Sequence, residues 1–138
     1  MVAFIADRPI RVGIVDENRS FRCTLHSSLD RLPNLKVVAE AVNGDEALAM
    51  VEYVHPDVVL MSLPDIDGFE TTRIIKSRFP GTKVIVLSVH TDRTDTGNAF
   101  QAGACRVLPK DCGEEELVHT IRECSIGPSK IVGHPPHS

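Results

Sequence analysis

The stretch at residues 58–62, VVLMS, is apolar at four consecutive positions and turns polar only at its last. A strand with one wet face alternates apolar and polar residues. One without alternation is buried on both faces, which is the condition of a central strand in a parallel sheet covered by helices. Residues 83–88, KVIVLS, and 10–15, IRVGIV, have nearly the same character. Parallel neighbours need a crossover of a dozen or more residues, usually a helix. The chain is therefore constrained to an α/β architecture with helices on both faces of the sheet.

The segments between the runs fit that demand. Residues 18–32 place Phe21, Leu25, Leu29 and Leu32 at helical spacing, and Pro33-Asn34 stops them. Residues 35–42 are β-branched and alternate, which predicts strand two. After Asn43-Gly44-Asp45, a second amphipathic helix carries Ala47, Leu48, Val51 and Val54, and His55-Pro56 closes it. Strand three, 57–62, runs into the turn Pro64-Asp65-Ile66-Asp67-Gly68, and a helix is expected over about 69–79. Strand four is 83–88, followed by a weakly patterned helix over about 92–102. Residues 105–108 form strand five. Asp111 with Glu114 has the spacing of a capping box for a last helix ending near Gly127. The domain spans 9–126, and 127–138, with three prolines, reads as a tail or the start of a linker. Five strands and five helices give a doubly wound, three-layer sandwich with strand order 2-1-3-4-5 and right-handed crossovers.

Composition excludes several function classes. Fifteen basic against nineteen acidic residues leave a net charge of -4, so no global basic field invites nucleic acid to this domain. No apolar run approaches a membrane span, and the start MVAFIADRP lacks the pattern of a signal peptide. The expected compartment is cytoplasmic. The four cysteines, Cys23, Cys105, Cys112 and Cys124, contain no C-x-x-C pair and read as reduced thiols. Zinc at Cys105, Cys112, His119 and Cys124 is conceivable, but the spacings match no ligand pattern.

In an open parallel sheet, ligands sit beyond the carboxyl ends of the strands. Four features fall there: Asp16-Glu17 after strand one, Ser62 after strand three, Ser88 at the end of strand four and Lys110 after strand five. Neighbouring acids suit a hard cation such as Mg2+. A lysine opposite them neutralises a phosphoryl group, and a serine hydroxyl hydrogen-bonds one of its oxygens. Taken singly each has a plainer reading. An acid pair after a strand favours a helix N-terminus, and a loop lysine is solvated. Together, each at the end of its own strand, they are more specific.

On these residues the chain resembles the response-regulator receiver domain of two-component phosphorelay signalling. The stretches IVDENRSFR, AVNGDEAL, PDVVLM, PDIDGFE, KVIVLSVH, AFQAGA and LPKDCGEEEL carry the resemblance, over about 9–126. The last of them is most similar to receivers that precede a helix-turn-helix DNA-binding domain. The resemblance implies a flavodoxin-like fold, Mg2+ at Asp16 and Glu17, and phosphate contacts from Ser88 and Lys110. It also implies phosphorylation of an aspartate at the end of strand three, and protein partners: a sensor kinase, an output domain or a second copy in a homodimer. The surface of helix four, strand five and helix five is the implied contact face.

Two departures change the chemistry. The acceptor position, counted forward from Asp57, holds Ser62, and counted back from Pro64 with the usual turn length it falls on Leu60. Neither is an acid. Family members also carry two more residues between the acceptor and the Asp-Gly pair, here Asp67-Gly68. In strand five, where the family often has an aromatic that swings with activation, the chain has Val107, with Arg106 before it. A carboxylate is ionised at neutral pH and attacks without a base, whereas a serine hydroxyl needs one, and no histidine occupies an obvious position. Formal site charge moves from about -2 to about -1, which weakens any Mg2+ site. Asp65 is the substitute acceptor to consider. The expectation is a non-enzymatic receiver that interacts with proteins without being phosphorylated. The alternatives are a working receiver using Asp65, or the amino-terminal part of a DNA-binding transcription regulator.

Overall fold

Strand β3, Val58–Met61, is buried at every residue, and the sheet is built outward from it. The computed structural model describes residues 8–89 and 93–126, without the side chains of residues 65, 66, 93 and 94. Five strands lie in one parallel sheet in the order β2-β1-β3-β4-β5, with β1 at Ile10–Val15, β2 at Leu35–Ala41, β4 at Lys83–Ser88 and β5 at Arg106–Pro109. Helices α1 (Arg19–Asp30), α2 (Gly44–Val54), α3 (Asp65–Arg78), α4 (Arg93–Ala102) and α5 (Glu114–Ile126) make the crossovers. The doubly wound order expected from the apolar runs is the one found.

Because successive side chains point to opposite faces, the central strands feed two cores. One gathers Val12, Ile14, Val58, Leu60, Ile85 and Leu87 under α1 and α5. The other gathers Val15, Val59, Met61, Val84 and Val86 under α2 and α3, with Ala99 of α4. Helix α2 packs close to β1, since a Cβ at Gly13 would meet Met50 Cε at 2.7 Å.

The helix boundaries follow local chemistry. Asn18 caps α1 by accepting from the Phe21 amide at 2.9 Å, and Asn43 caps α2 by accepting from that of Glu46 at 2.8 Å. Helix α2 ends at His55, which adopts a left-handed conformation (φ 55°) ahead of Pro56. Two expectations need correction. Helix α3 begins at Asp65, not near 69: Pro64 stands at the cap position and its carbonyl accepts from the Gly68 amide at 2.8 Å, closing the first turn. Helix α5 begins at Glu114, with the Gly113 carbonyl accepting from the Leu117 amide at 3.1 Å, so Asp111 precedes the helix and forms no capping box.

Candidate functional site

The carboxyl ends of β1, β3, β4 and β5 open on a cleft of about 590 Å³ lined by Asp16, Glu17, Ser62, Ser88 and Lys110, together with Leu63 and Pro64. Backbone pairing puts these residues side by side. Val15 and Met61 are register partners, and the Ser62 amide donates to the Val15 carbonyl at 2.8 Å, setting Ser62 beside Asp16. On the other side Ser88 pairs with Pro109, and its carbonyl accepts from the Lys110 amide at 2.8 Å. The site residues read from the sequence are therefore brought together, with one exception in kind. Asp65 opens α3, and its side chain lies outside the described residues. Asp67, two residues on, is exposed.

Asp16 is the buried centre of the cleft, 1% exposed. Its Oδ1 accepts from the Asn18 amide at 2.6 Å, so the same carboxylate that faces the cleft also shapes the loop leading into α1. Its Oδ2 lies 2.7 Å from Lys110 Nζ, an ion pair whose angles are poor for a hydrogen bond, and among the described residues it accepts no well-directed one. Glu17 points to solvent. Ser62 is 8% exposed and contributes no charge. With a neutral residue at the end of β3, the lysine takes Asp16 as its counter-ion.

The contacts that three side chains of α1 make around this centre were not legible in the sequence. Lys110 Nζ sits 4.4 Å from the centroid of the Phe21 ring, so the first turn of α1 supplies a cation–π partner. Phe21 carried only the apolar spacing of a core residue. Arg22 Nη1 donates to the Asp16 carbonyl at 2.7 Å while its Nε reaches Glu40 on β2 at 3.0 Å. His26 Nδ1 in turn meets Glu40 at 2.6 Å, and its Nε2 meets Asp30 at 3.3 Å. The Glu40 hydrogen bond raises the His26 pKa, against the opposing effect of burial, and the same bond lowers that of Glu40. This polar chain fastens the β1–α1 loop from behind.

Receiver domains generally hold Mg2+ at this position. The residues here fit it poorly. Mg2+ wants near-octahedral oxygen ligands and is usually held by one or two carboxylates. Of the two acids that would hold it, Asp16 is already paired with a lysine and Glu17 is exposed to solvent. The described lining residues also include no histidine or cysteine that could deprotonate Ser62. The turn after Ser62 holds only Leu63 and Pro64 before α3 starts. Close packing goes with it: a Cβ at Gly68 would lie 3.2 Å from the Leu63 carbonyl oxygen.

Comparison with known proteins gives one consistent answer. A family model described as the response regulator receiver domain matches residues 12–122. The transcriptional regulatory protein DegU of Brevibacillus brevis is 32% identical over 133 residues, covering 95% of this chain and 56% of that protein. The response regulator UvrY of Escherichia coli strain K12 is 36% identical over 120 residues, covering 86% and 55%. Among solved structures, the signal receiver domain of the response regulator NarL from Mycobacterium tuberculosis superposes with a TM-score of 0.81 at 30% identity, covering 87% of this chain and 98% of that one. The chain spans about half the length of the curated relatives it matches.

Proposed function

We propose that this chain, which belongs to the response regulator receiver domain family, is a two-component receiver that signals through protein contacts without aspartyl phosphorylation. The observation that carries the reading is the pairing of Lys110 with Asp16 beside a neutral Ser62. A phosphorylatable receiver needs a carboxylate nucleophile at the end of β3. Here the strand ends on a hydroxyl, the described lining holds no histidine, and the carboxylate beside it, Asp16, is paired with Lys110. Asp16, Glu17, Ser88 and Lys110 are then the remains of a phosphate-handling site, with weak affinity for Mg2+.

Receiver domains of response regulators interact with sensor kinases and output domains, and such contacts are the proposed role here. We assign residues 9–126 to the receiver and 127–138 to the start of a linker. The two relatives named above are called a transcriptional regulatory protein and a response regulator. An effector domain beyond residue 138 would make the whole protein a cytoplasmic transcription regulator, and extending the reading frame past Ser138 tests that directly. Within such a protein this acidic domain supplies protein contacts, as a monomer or homodimer, and leaves nucleic acid to the effector.

The decisive experiment is incubation with acetyl phosphate and Mg2+ followed by intact-mass measurement. The expected result is an unchanged mass. A stoichiometric gain of about 80 Da, labile to hydroxylamine, would overturn the proposal, and peptide mapping would show whether Asp65 or another acid had taken the phosphoryl group.

A further inference from the structure

The polar contacts behind the β1–α1 loop end on a histidine held between two acids. Arg22, His26 and Asp30 stand four residues apart on α1, so they form one stripe along the helix. That stripe lies against β2, an outer strand of the sheet. Glu40 of β2 reaches between two of its members, with Oε1 3.0 Å from Arg22 Nε and Oε2 2.6 Å from His26 Nδ1. Asp30 holds the far end. Its Oδ1 accepts from the Val37 amide at 2.9 Å, and its Oδ2 lies 3.3 Å from His26 Nε2.

An irregularity in β2 brings Glu40 within reach. Leu35 and Val37 belong to the core under α1 and α5, whereas Ala41, with Ala39 packed beside it, belongs to the core under α2 and α3. Strict alternation would keep all four on one face. Val12 pairs with Val37 and Gly13 with Ala39, so Val38 is an extra residue, a β-bulge, and the side chains after it change sides. Under strict alternation Glu40 would face α2. Lys36, ahead of the bulge, alternates with Leu35 and Val37 and so faces away from α1. Among the described residues, the charged groups facing His26 are therefore Glu40 from β2 and Arg22 and Asp30 from α1.

Carboxylates only accept hydrogen bonds, and a neutral imidazole has a single N–H to offer. The acids at Nδ1 and Nε2 are both satisfied only by an imidazolium, which carries a proton on each nitrogen. As a cation His26 also balances the cluster, with Arg22 and His26 against Glu40 and Asp30. Losing the proton sets a nitrogen lone pair against a carboxylate and leaves negative charge in excess. We infer that His26 is a proton-operated latch between α1 and β2, closed while the ring is a cation and loosened when it is neutral, and that Arg22 passes its state to the β1–α1 loop. Arg22 is the link because its Nη1 donates to the Asp16 carbonyl at 2.7 Å while its Nε holds the same Glu40 that His26 holds. The hydrogen bond to Glu40, against the opposing effect of burial, raises the His26 pKa above its ordinary value, and Asp30 adds to the rise. The latch is therefore fully closed below about pH 6.5 and loosens as pH rises through the higher folded value. None of its four side chains is in the described lining of the cleft, and the inference does not depend on whether the cleft takes phosphate.

The test is an NMR titration of the nitrogen-15-labelled chain between about pH 5.5 and 9, following the His26 ring nitrogens and the backbone amides. The expected result is a proton on both ring nitrogens up to a midpoint above about 6.5, with the amides of Val37 and of residues 16–18 moving at that same midpoint. Glu40→Gln should lower the midpoint toward the ordinary value. Arg22→Met should leave His26 titrating and Val37 moving with it but abolish the response of residues 16–18, which separates the link from the latch. His26→Gln should abolish the shared response at both places. A His26 midpoint at or below about 6.5, or one unmoved by Glu40→Gln, overturns the latch. Amides of residues 16–18 that stay still at the His26 midpoint, or that go on moving with it in Arg22→Met, overturn the link to the loop.

Discussion

Lys110→Met tests the centre of the cleft, because it removes the charge opposite Asp16 while keeping most of the side-chain stem. At 2.7 Å and an effective dielectric near 20, the raw attraction is about 6 kcal/mol. Desolvation cancels much of that, since each ion taken from water costs several kcal/mol. The variant therefore loses less than the raw figure but leaves Asp16, 1% exposed, with one hydrogen bond among the described residues, from the Asn18 amide. Breaking a fully buried pair costs about 3–5 kcal/mol. The lysine side chain is 27% exposed, so water partly replaces it, and the expected loss is about 2–3 kcal/mol, part of it from the Phe21 contact. In urea, with a slope near 2 kcal/mol per molar, the midpoint should fall by about 1 M. Adding Asp16→Asn to that variant should restore most of the loss, because a neutral pair leaves no stranded charge. A midpoint for Lys110→Met equal to or above that of the parent would refute the reasoning. Lys110 would then be a solvated loop residue, and Asp16 would be satisfied without it.

Three further outcomes follow from other parts of the structure. Ser62→Asp restores a carboxylate at the end of β3, and Mg2+ affinity should rise about tenfold, or about 1.4 kcal/mol, read as a Mg2+-dependent increase in urea midpoint absent from the parent; no difference between the two chains counts against a vestigial metal site. The raised His26 pKa means that the folded state holds the proton more tightly than the unfolded one, so its contribution is complete below about pH 6.5 and fades as pH rises through the folded value. The fall in stability across that window should shrink in Glu40→Gln, and an unchanged pH profile would show that the His26–Glu40 contact contributes nothing in solution. Asn18→Ala removes the cap of α1 and should cost about 1 kcal/mol in thermal or urea unfolding, whereas a neutral result would mean that Asp16 and Arg22 hold the loop without the cap.

The sheet could be read from the chain because its central strands are apolar without interruption, and only a doubly covered parallel sheet buries such runs. The cleft residues could be read because each ends a strand, and strand ends in this topology converge. The start of α3 was misplaced because Pro64, Asp65 and Gly68 are turn residues and helix-start residues at once. Proline suits a helix entrance and acids suit a first turn. Only the hydrogen bond from Gly68 to Pro64 separates the two. Asp111 and Glu114 show the reverse error, having the spacing of a cap while Gly113 closes the helix. Contacts such as Lys110 with Asp16 and Phe21 with Lys110 join residues on different elements, and no local pattern announces them.

The two outer strands bear on how copies of this chain behave when crowded together. An edge strand offers unpaired amides and carbonyls to any other strand, which is a route to aggregation. Strand β5 blunts that offer. It has four residues, it begins with exposed Arg106, and it ends on Pro109, which has no amide hydrogen to donate. At the other edge, β2 carries exposed Lys36 and Glu40, and its pairing with β1 shifts register between Val12 and Gly13. Sheet-to-sheet growth is therefore disfavoured at both margins. Copies of this domain that associate reversibly should meet through helix faces, leaving the five-stranded sheet closed to extension.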